Sequence, residues 1–184
     1  MTERTIAIGD IHGCGTALET LLSALELTEN DRLVLLGDIV DRGPQTRQVI
    51  ELLLQLKSDG QEIILIRGNH EEMLLDALRG GSLSQMWQTY GGQDVLDSYE
   101  LANVKDIPED HLKFLQSSIN YWENDSDIFV HANLHPQRSL ADQFPQYLRW
   151  QRFTGQEAPH CSGKRVIVGH TPCGMDSLTS GTSG

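Results

Sequence analysis

Five short apolar runs recur along the chain, and each stops at a cluster of glycine and polar residues. They are Thr5-Ile6-Ala7-Ile8, Leu33-Val34-Leu35-Leu36, Ile63-Ile64-Leu65-Ile66, Ile128-Phe129-Val130 and Val166-Ile167-Val168. Runs this short, apolar at successive rather than alternate positions, read as strands of a sheet covered on both faces. Between the first two, Leu18, Leu21, Leu22 and Leu25 recur at helical spacing within residues 16–27. After Pro44, which a helix start tolerates, Val49, Ile50, Leu53, Leu54 and Leu56 form a second stripe that ends near Gly60. Strand, helix, strand, helix, strand is the pattern of parallel crossover units, right-handed in nearly all cases. The fold class is therefore α/β.

A further helix is predicted over residues 71–78, ending at Arg79-Gly80-Gly81. Residues 82–121 have a different texture. They carry Trp87, Tyr90, Gly91-Gly92, Tyr99 and Pro108, with a short helix around 110–116 and no motif-bearing strand. This segment reads as a helical cap over the polar strand ends, with structural filler as the alternative. Residues 127–131 return to the sheet, 139–153 look helical, and 165–170 form the last strand. One domain over 1–173 follows, ahead of a tail at 174–184 in which eight of eleven residues are Gly, Ser or Thr. Such a composition is that of a flexible linker.

A chain of 184 residues can bury a sizeable core, and its 39% apolar and 22% charged content suits a globular enzyme. The net charge of -12 argues against a nucleic-acid partner, which would require clustered Lys and Arg. No apolar run approaches the roughly 18 residues of a membrane span, and no leader is apparent. Cys14, Cys161 and Cys173 are odd in number and widely spaced, so no disulfide framework is expected and the cytoplasm is the expected compartment. Cys14 is expected to be a packed thiol.

Chemistry concentrates where the runs stop: Gly9-Asp10-Ile11-His12-Gly13, Gly37-Asp38-Ile39-Val40-Asp41-Arg42-Gly43, Gly68-Asn69-His70-Glu71, His131-Ala132-Asn133 and Gly169-His170-Thr171. Ligands of open α/β sheets sit beyond the carboxyl ends of the strands, so these residues are expected along one edge of one sheet. Asp10 and His12, two apart on an extended segment, would point the same way toward one cation. Asp38 has two oxygens and could bridge two cations, while Asn69, His131 and His170 add an amide oxygen and two imidazoles. Oxygen and nitrogen donors without thiolate suit Mn, Fe or Zn better than Ca. Two such cations lower the pKa of bound water and clamp an in-line displacement. Arg42 offers a planar fork for a phosphoryl group. His70 follows Asn69 too closely for both to serve one metal comfortably, so it is better placed as a general acid oriented by Asp41. His111 and His135 lie in polar stretches and are expected to be exposed, and His160 is expected in a surface turn.

These motifs closely resemble those of the phosphoprotein phosphatase family of metallophosphoesterases, in particular bacterial serine/threonine phosphatases, over Ile6 to about Thr171. The resemblance implies a β-sandwich flanked by helices, with a dinuclear site at the strand ends. It assigns Asp10, His12 and Asp38 to a first metal, and Asp38, Asn69, His131 and His170 to a second, most readily Mn²⁺. His70 becomes the proton donor paired with Asp41, and Arg42 binds phosphate. A second phosphate-binding arginine is implied in Leu148-Arg149-Trp150-Gln151-Arg152-Phe153, where the pattern points to Arg152 and leaves Arg149 open. Family members continue past the last histidine with further strands, whereas this chain ends 14 residues after His170; its C-terminal strands are expected to be cut short.

The resemblance implies hydrolysis of phosphate monoesters by direct attack of a metal-activated hydroxide. The expected substrates are phosphoserine and phosphothreonine in proteins or peptides, a reading favoured by Asp41 and Glu71. The alternative, favoured by Gly13-Cys14, is symmetrical cleavage of dinucleoside polyphosphates. A non-catalytic binding module on the same scaffold is a third reading, opposed by the intact ligand set. Substrate identity, native metal and oligomeric state are not encoded in the motifs.

Overall fold

The computed structural model describes residues 4–172, so the expectations for the tail and for Cys173 lie outside the described residues. Arg4–Ile8 (β1), Asp31–Leu35 (β2) and Glu62–Leu65 (β3) form a parallel sheet in that order. Gly15–Leu25 (α1) and Thr46–Ser58 (α2) make the crossovers, close to the bounds their leucine stripes predict. Asn69–Leu78 (α3) follows, then Ser84–Trp87 (α4), Gln93–Tyr99 (α5) and Glu109–Gln116 (α6). Tyr121–Glu123 (β4), Asp127–Val130 (β5) and Arg165–Ile167 (β6) build a second sheet, with β4 antiparallel and β6 parallel to β5. Pro145–Trp150 (α7) lies between its last two strands.

The single sheet expected from the five runs is thus two sheets, and the burial pattern gives the reason. On β2, Leu33 and Leu35 pack with α1 and α2 residues such as Leu18, Val49, Ile50 and Leu53. Val34 and Leu36 point the other way, onto Phe129, with Trp122 and Ile167 alongside. Ile128 and Val130 face outward again and are covered by Leu148 of α7. Alternate residues of each strand therefore enter different cores, and an apolar run is apolar throughout because both of its faces are covered. The arrangement is helix, sheet, sheet, helix, a β-sandwich flanked by helices. A lone pairing of Ile66 with Ile119 links the end of β3 to the approach to β4.

Several local expectations need correction. Residues 139–153 hold only a turn of 3-10 helix at Leu140–Asp142 and the short α7. Pro145 drives the residue before it out of the helical region, and Phe144 is extended (φ -79°, ψ 132°). The last strand stops at Ile167 rather than running to His170. His111 is buried on α6, its Nδ1 2.7 Å from the Tyr99 hydroxyl. His160 is buried too, between the Ser162 hydroxyl and the Arg138 carbonyl, while His135 is half-buried. Cys14, immediately before α1, is exposed rather than packed, as is Cys161. Among the described residues no helix is long and apolar enough to cross a membrane.

Candidate metal centre

The strand ends converge through tight turns. Both Ile11 and His12 donate their backbone N–H to the Asp38 carbonyl, at 3.1 and 2.8 Å. His12 is left-handed (φ 46°), so Asp10 and His12 do not meet as neighbours on an extended strand; a turn brings them together. Asp38, Asp41, Arg42 and His170 are left-handed as well, making five site residues among the seven described non-glycine residues with positive φ. Each such residue costs on the order of 1–3 kcal/mol and persists where its surroundings over-determine it. At Asp38 the holder is Glu71. Its fully buried carboxylate accepts from the N–H groups of Asp38 (2.8 Å), Ile39 (2.9 Å) and Gly68 (2.9 Å). Burial and the nearby Asp38 charge push the Glu71 carboxyl up to about 7. Gly68 is required here, since a Cβ would fall 2.6 Å from the Asp38 nitrogen.

The proposed ligands fall into two overlapping groups. His12 Nδ1 donates to the Val40 carbonyl at 3.0 Å, which leaves Nε2 bearing its lone pair. That nitrogen is buried without a hydrogen-bond partner, 3.9 Å from Asp10 Oδ2 and 3.8 Å from Asp38 Oδ2. His131 repeats the arrangement, with Nδ1 donating to the Leu36 carbonyl at 2.7 Å. Its Nε2 lies 3.1 Å from Asn69 Oδ1, 3.1 Å from His170 Nδ1 and 3.4 Å from Asp38 Oδ2. An acceptor nitrogen crowded by an amide oxygen, a carboxylate and a second imidazole is a set of converging lone pairs that a cation would satisfy. The carbonyl bonds to both Nδ1 atoms fix the tautomers such ligation needs. Metal-binding geometry is thus present among the described residues, and the donors fit the pair of cations that the motifs imply.

The electrostatics agree. Burial alone would raise the Asp38 carboxyl, but His131 and the His70 N–H outweigh it and hold Asp38 well below the usual carboxylate range. Burial lowers His131, yet Asp38 pushes it up to about 8; a proton there competes with a cation. Burial lowers both His12 and His170 and favours their neutral, ligating form.

Asn69 and His70 occupy successive positions in the first turn of α3 and diverge around the helix. Asn69 reaches His131, whereas His70 Nδ1 sits 2.6 Å from Asp41 Oδ2 and its Nε2 lies 3.1 Å from the Arg42 guanidinium. His70 also stands near His12 and Asp38, close enough for a metal grouping. Its Nδ1 is committed to Asp41, as those of His12 and His131 are to carbonyls, and what sets His70 apart is that its Nε2 faces the Arg42 guanidinium. The other Asp41 oxygen accepts from Trp87 Nε1 at 2.9 Å. The pairing of Trp87 with Asp41 went unread in the sequence, where tryptophan signals only packing. It places the α4–α5 corner beside Asp41.

A cleft of about 500 Å³ opens over these groups, lined by Asp10, His12, Asp38, Arg42, Arg152 and His170. Arg149 does not reach it. It is buried, ion-paired to Glu72 and hydrogen-bonded to Asn120 Oδ1 at 2.6 Å. Trp150 Nε1 donates to the other Glu72 oxygen at 2.7 Å, so α7 is clamped to α3. Beyond it, Asn133 Nδ2 donates to the Arg152 carbonyl and to Glu157. Asn133 stood in a motif without a role; the structure shows it steadying the Arg152 segment.

The sequence model of the Calcineurin-like phosphoesterase family matches residues 3–174. A symmetrical bis(5'-nucleosyl)-tetraphosphatase of Nitrosomonas europaea is 31% identical over 81% of this chain and 54% of its own length. Serine/threonine-protein phosphatase 1 of Salmonella typhimurium is 40% identical, over 46% of this chain and 37% of its own. A crystal structure provisionally described as a diadenosine tetraphosphatase superposes with a TM-score of 0.63 at 27% identity, covering 90% of this chain and 74% of that one. The chain spans about half the length of the curated tetraphosphatases it matches.

Proposed function

The chain belongs to the Calcineurin-like phosphoesterase family, and from that premise we propose that it hydrolyses dinucleoside tetraphosphates symmetrically, giving two nucleoside diphosphates. The extent of the likeness carries this reading over the phosphoprotein phosphatase reading: the tetraphosphatase match runs over 81% of the chain, the protein phosphatase match over 46%. Two arginines facing one cleft, on a chain of net charge -12, support a polyanionic substrate.

In this reading Asp10, His12 and Asp38 hold one divalent cation, and Asp38, Asn69, His131 and His170 hold another, with Mn²⁺ the first candidate and Fe or Zn the alternatives. When bound, the cations supply Lewis-acid activation of water and neutralise phosphoryl charge. Arg42 and Arg152, which both line the cleft, grip the phosphoryl oxygens. Water oxygen bonds to phosphorus, the bridging P–O bond breaks, and the departing oxygen leaves on a nucleoside diphosphate. His70 is oriented by Asp41, which Trp87 braces in turn; its Nε2 accepts from the Arg42 guanidinium, and once protonated it would give that proton to the departing oxygen.

Serine/threonine protein phosphatase activity is the second reading, favoured by the 40% identity to the Salmonella phosphatase. Parallel assays with diadenosine tetraphosphate, phosphoserine peptides and phosphotyrosine peptides separate the two. Preferred turnover of diadenosine tetraphosphate to ADP is the expected result. Preferred phosphopeptide hydrolysis would overturn the proposal.

A further inference from the structure

Beside the metal cleft lies a second cavity of about 400 Å³, and Arg42 belongs to the walls of both. The rest of its wall comes from the corner where α4 gives way to α5, including Gln88, Tyr90, Gly91 and Asp94. Tyr90 is 52% exposed, a high value for an aromatic ring beside a buried polar site. The corner is fixed rather than loose. Gly91 adopts φ 118°, and a Cβ on it would lie 2.5 Å from the Arg42 backbone nitrogen, so the loop is pressed onto the Arg42 turn. Trp87, one turn earlier, is buried and hydrogen-bonded to Asp41. The Tyr90 ring is thereby carried on a rigid support next to the phosphate-facing arginine. The cavity is electrically lopsided: Arg42 lines both it and the metal cleft, while Asp94 lines this cavity alone. Such a space suits a ligand that is anionic at one end and neutral, planar and rich in hydrogen-bond donors at the other.

We propose that this cavity is a nucleobase subsite, in which one base of the substrate stacks on Tyr90 while Arg42 holds the adjoining phosphate. The inference rests on the dinucleoside polyphosphate reading and adds to it the residue that recognises the nucleoside. Because Nε2 of His70 lies on the Arg42 side, the base held here belongs to the departing nucleoside diphosphate. Asp94 repels phosphate and accepts hydrogen bonds from base amino groups, which sets the orientation.

The test measures inhibition of p-nitrophenyl phosphate hydrolysis by ADP and by pyrophosphate, for the chain and for Tyr90→Ala and Tyr90→Phe. These two inhibitors share a diphosphate and differ in the nucleoside. Expected is tighter inhibition by ADP, lost on the order of 10-fold in Tyr90→Ala, the scale of one base–aromatic stack. Tyr90→Phe, which keeps the ring, should retain it. An ADP preference that survives in Tyr90→Ala, or no preference in the unaltered chain, overturns the subsite. If the preference depends on Tyr90 while diadenosine tetraphosphate is not hydrolysed, the subsite stands and the proposed function falls.

Discussion

His70 shows how much one side chain owes to its neighbours. Its Nδ1 faces Asp41, Asp41 is braced by Trp87, and its backbone N–H donates to Asp38 at 3.0 Å. Nε2 is left as the working atom. His70→Asn should lower kcat for phosphoserine peptides by roughly 10²–10⁴-fold while leaving metal content unchanged. The loss should be smaller with diadenosine tetraphosphate, because a nucleoside diphosphate is a far weaker base than a serine alkoxide and needs less protonation to depart. Loss of metal alongside activity, measured by elemental analysis, would instead make His70 a ligand. At this scale the motifs were highly legible. All six proposed ligands, His70, Asp41 and Arg42 stand together, because each motif closes a strand and the strand ends converge. Trp87, Glu71 and Asn133 acquire their roles only through partners 46, 33 and 19 positions away, a distance over which no local pattern operates.

Among the elements, β1 is held to β2 by more than its ladder. Arg4 makes paired bonds to Asp31 at 2.7 and 2.6 Å, and Thr28 donates to the same carboxylate. The hydrogen bonds from Arg4 hold the Asp31 carboxyl well below the usual range. A depressed folded-state pKa contributes stability above the unfolded value of about 4, and loses it as pH falls below that toward the folded value. Asp31→Asn should therefore melt lower than the unaltered chain near pH 7, and the gap should close as pH drops below about 4. A gap constant with pH would assign the effect to packing. The inter-sheet seam makes a second case. Phe129 is 4% exposed and sits between the sheets. Phe129→Ala should destabilise by about 3–5 kcal/mol in denaturant titrations. It should weaken the His131–His170 cation more than the Asp10–His12 one, since only the former takes ligands from the second sheet.

For the whole molecule, the two sheets and the strained turns form one device that holds lone pairs together. Cations should relieve that crowding. Added Mn²⁺ should bring two metals per chain and stabilise the fold by about 2.7 kcal/mol for each site held at 100 times its dissociation constant. Chelation should abolish aryl phosphate hydrolysis. Unchanged melting temperature and activity after chelation would sink the dinuclear reading.

The sequence by itself determined five of the six described strands, the crossover helices and the motif residues, because apolar runs, helical stripes and glycine stops are properties of neighbouring positions, whereas Tyr121–Glu123 carries no such run. It left residues 82–121 open between a cap and filler, because helices without a motif do not say what they cover. The runs read as one sheet and build two, because a strand buried against a helix and a strand buried against another sheet carry the same residues. Only tertiary packing, Val34 and Leu36 against Phe129, made the sandwich. Likewise Arg149 and Arg152 are chemically alike and three positions apart. The choice between them came from Glu72, which captures Arg149 across 77 residues and leaves Arg152 to face the cleft.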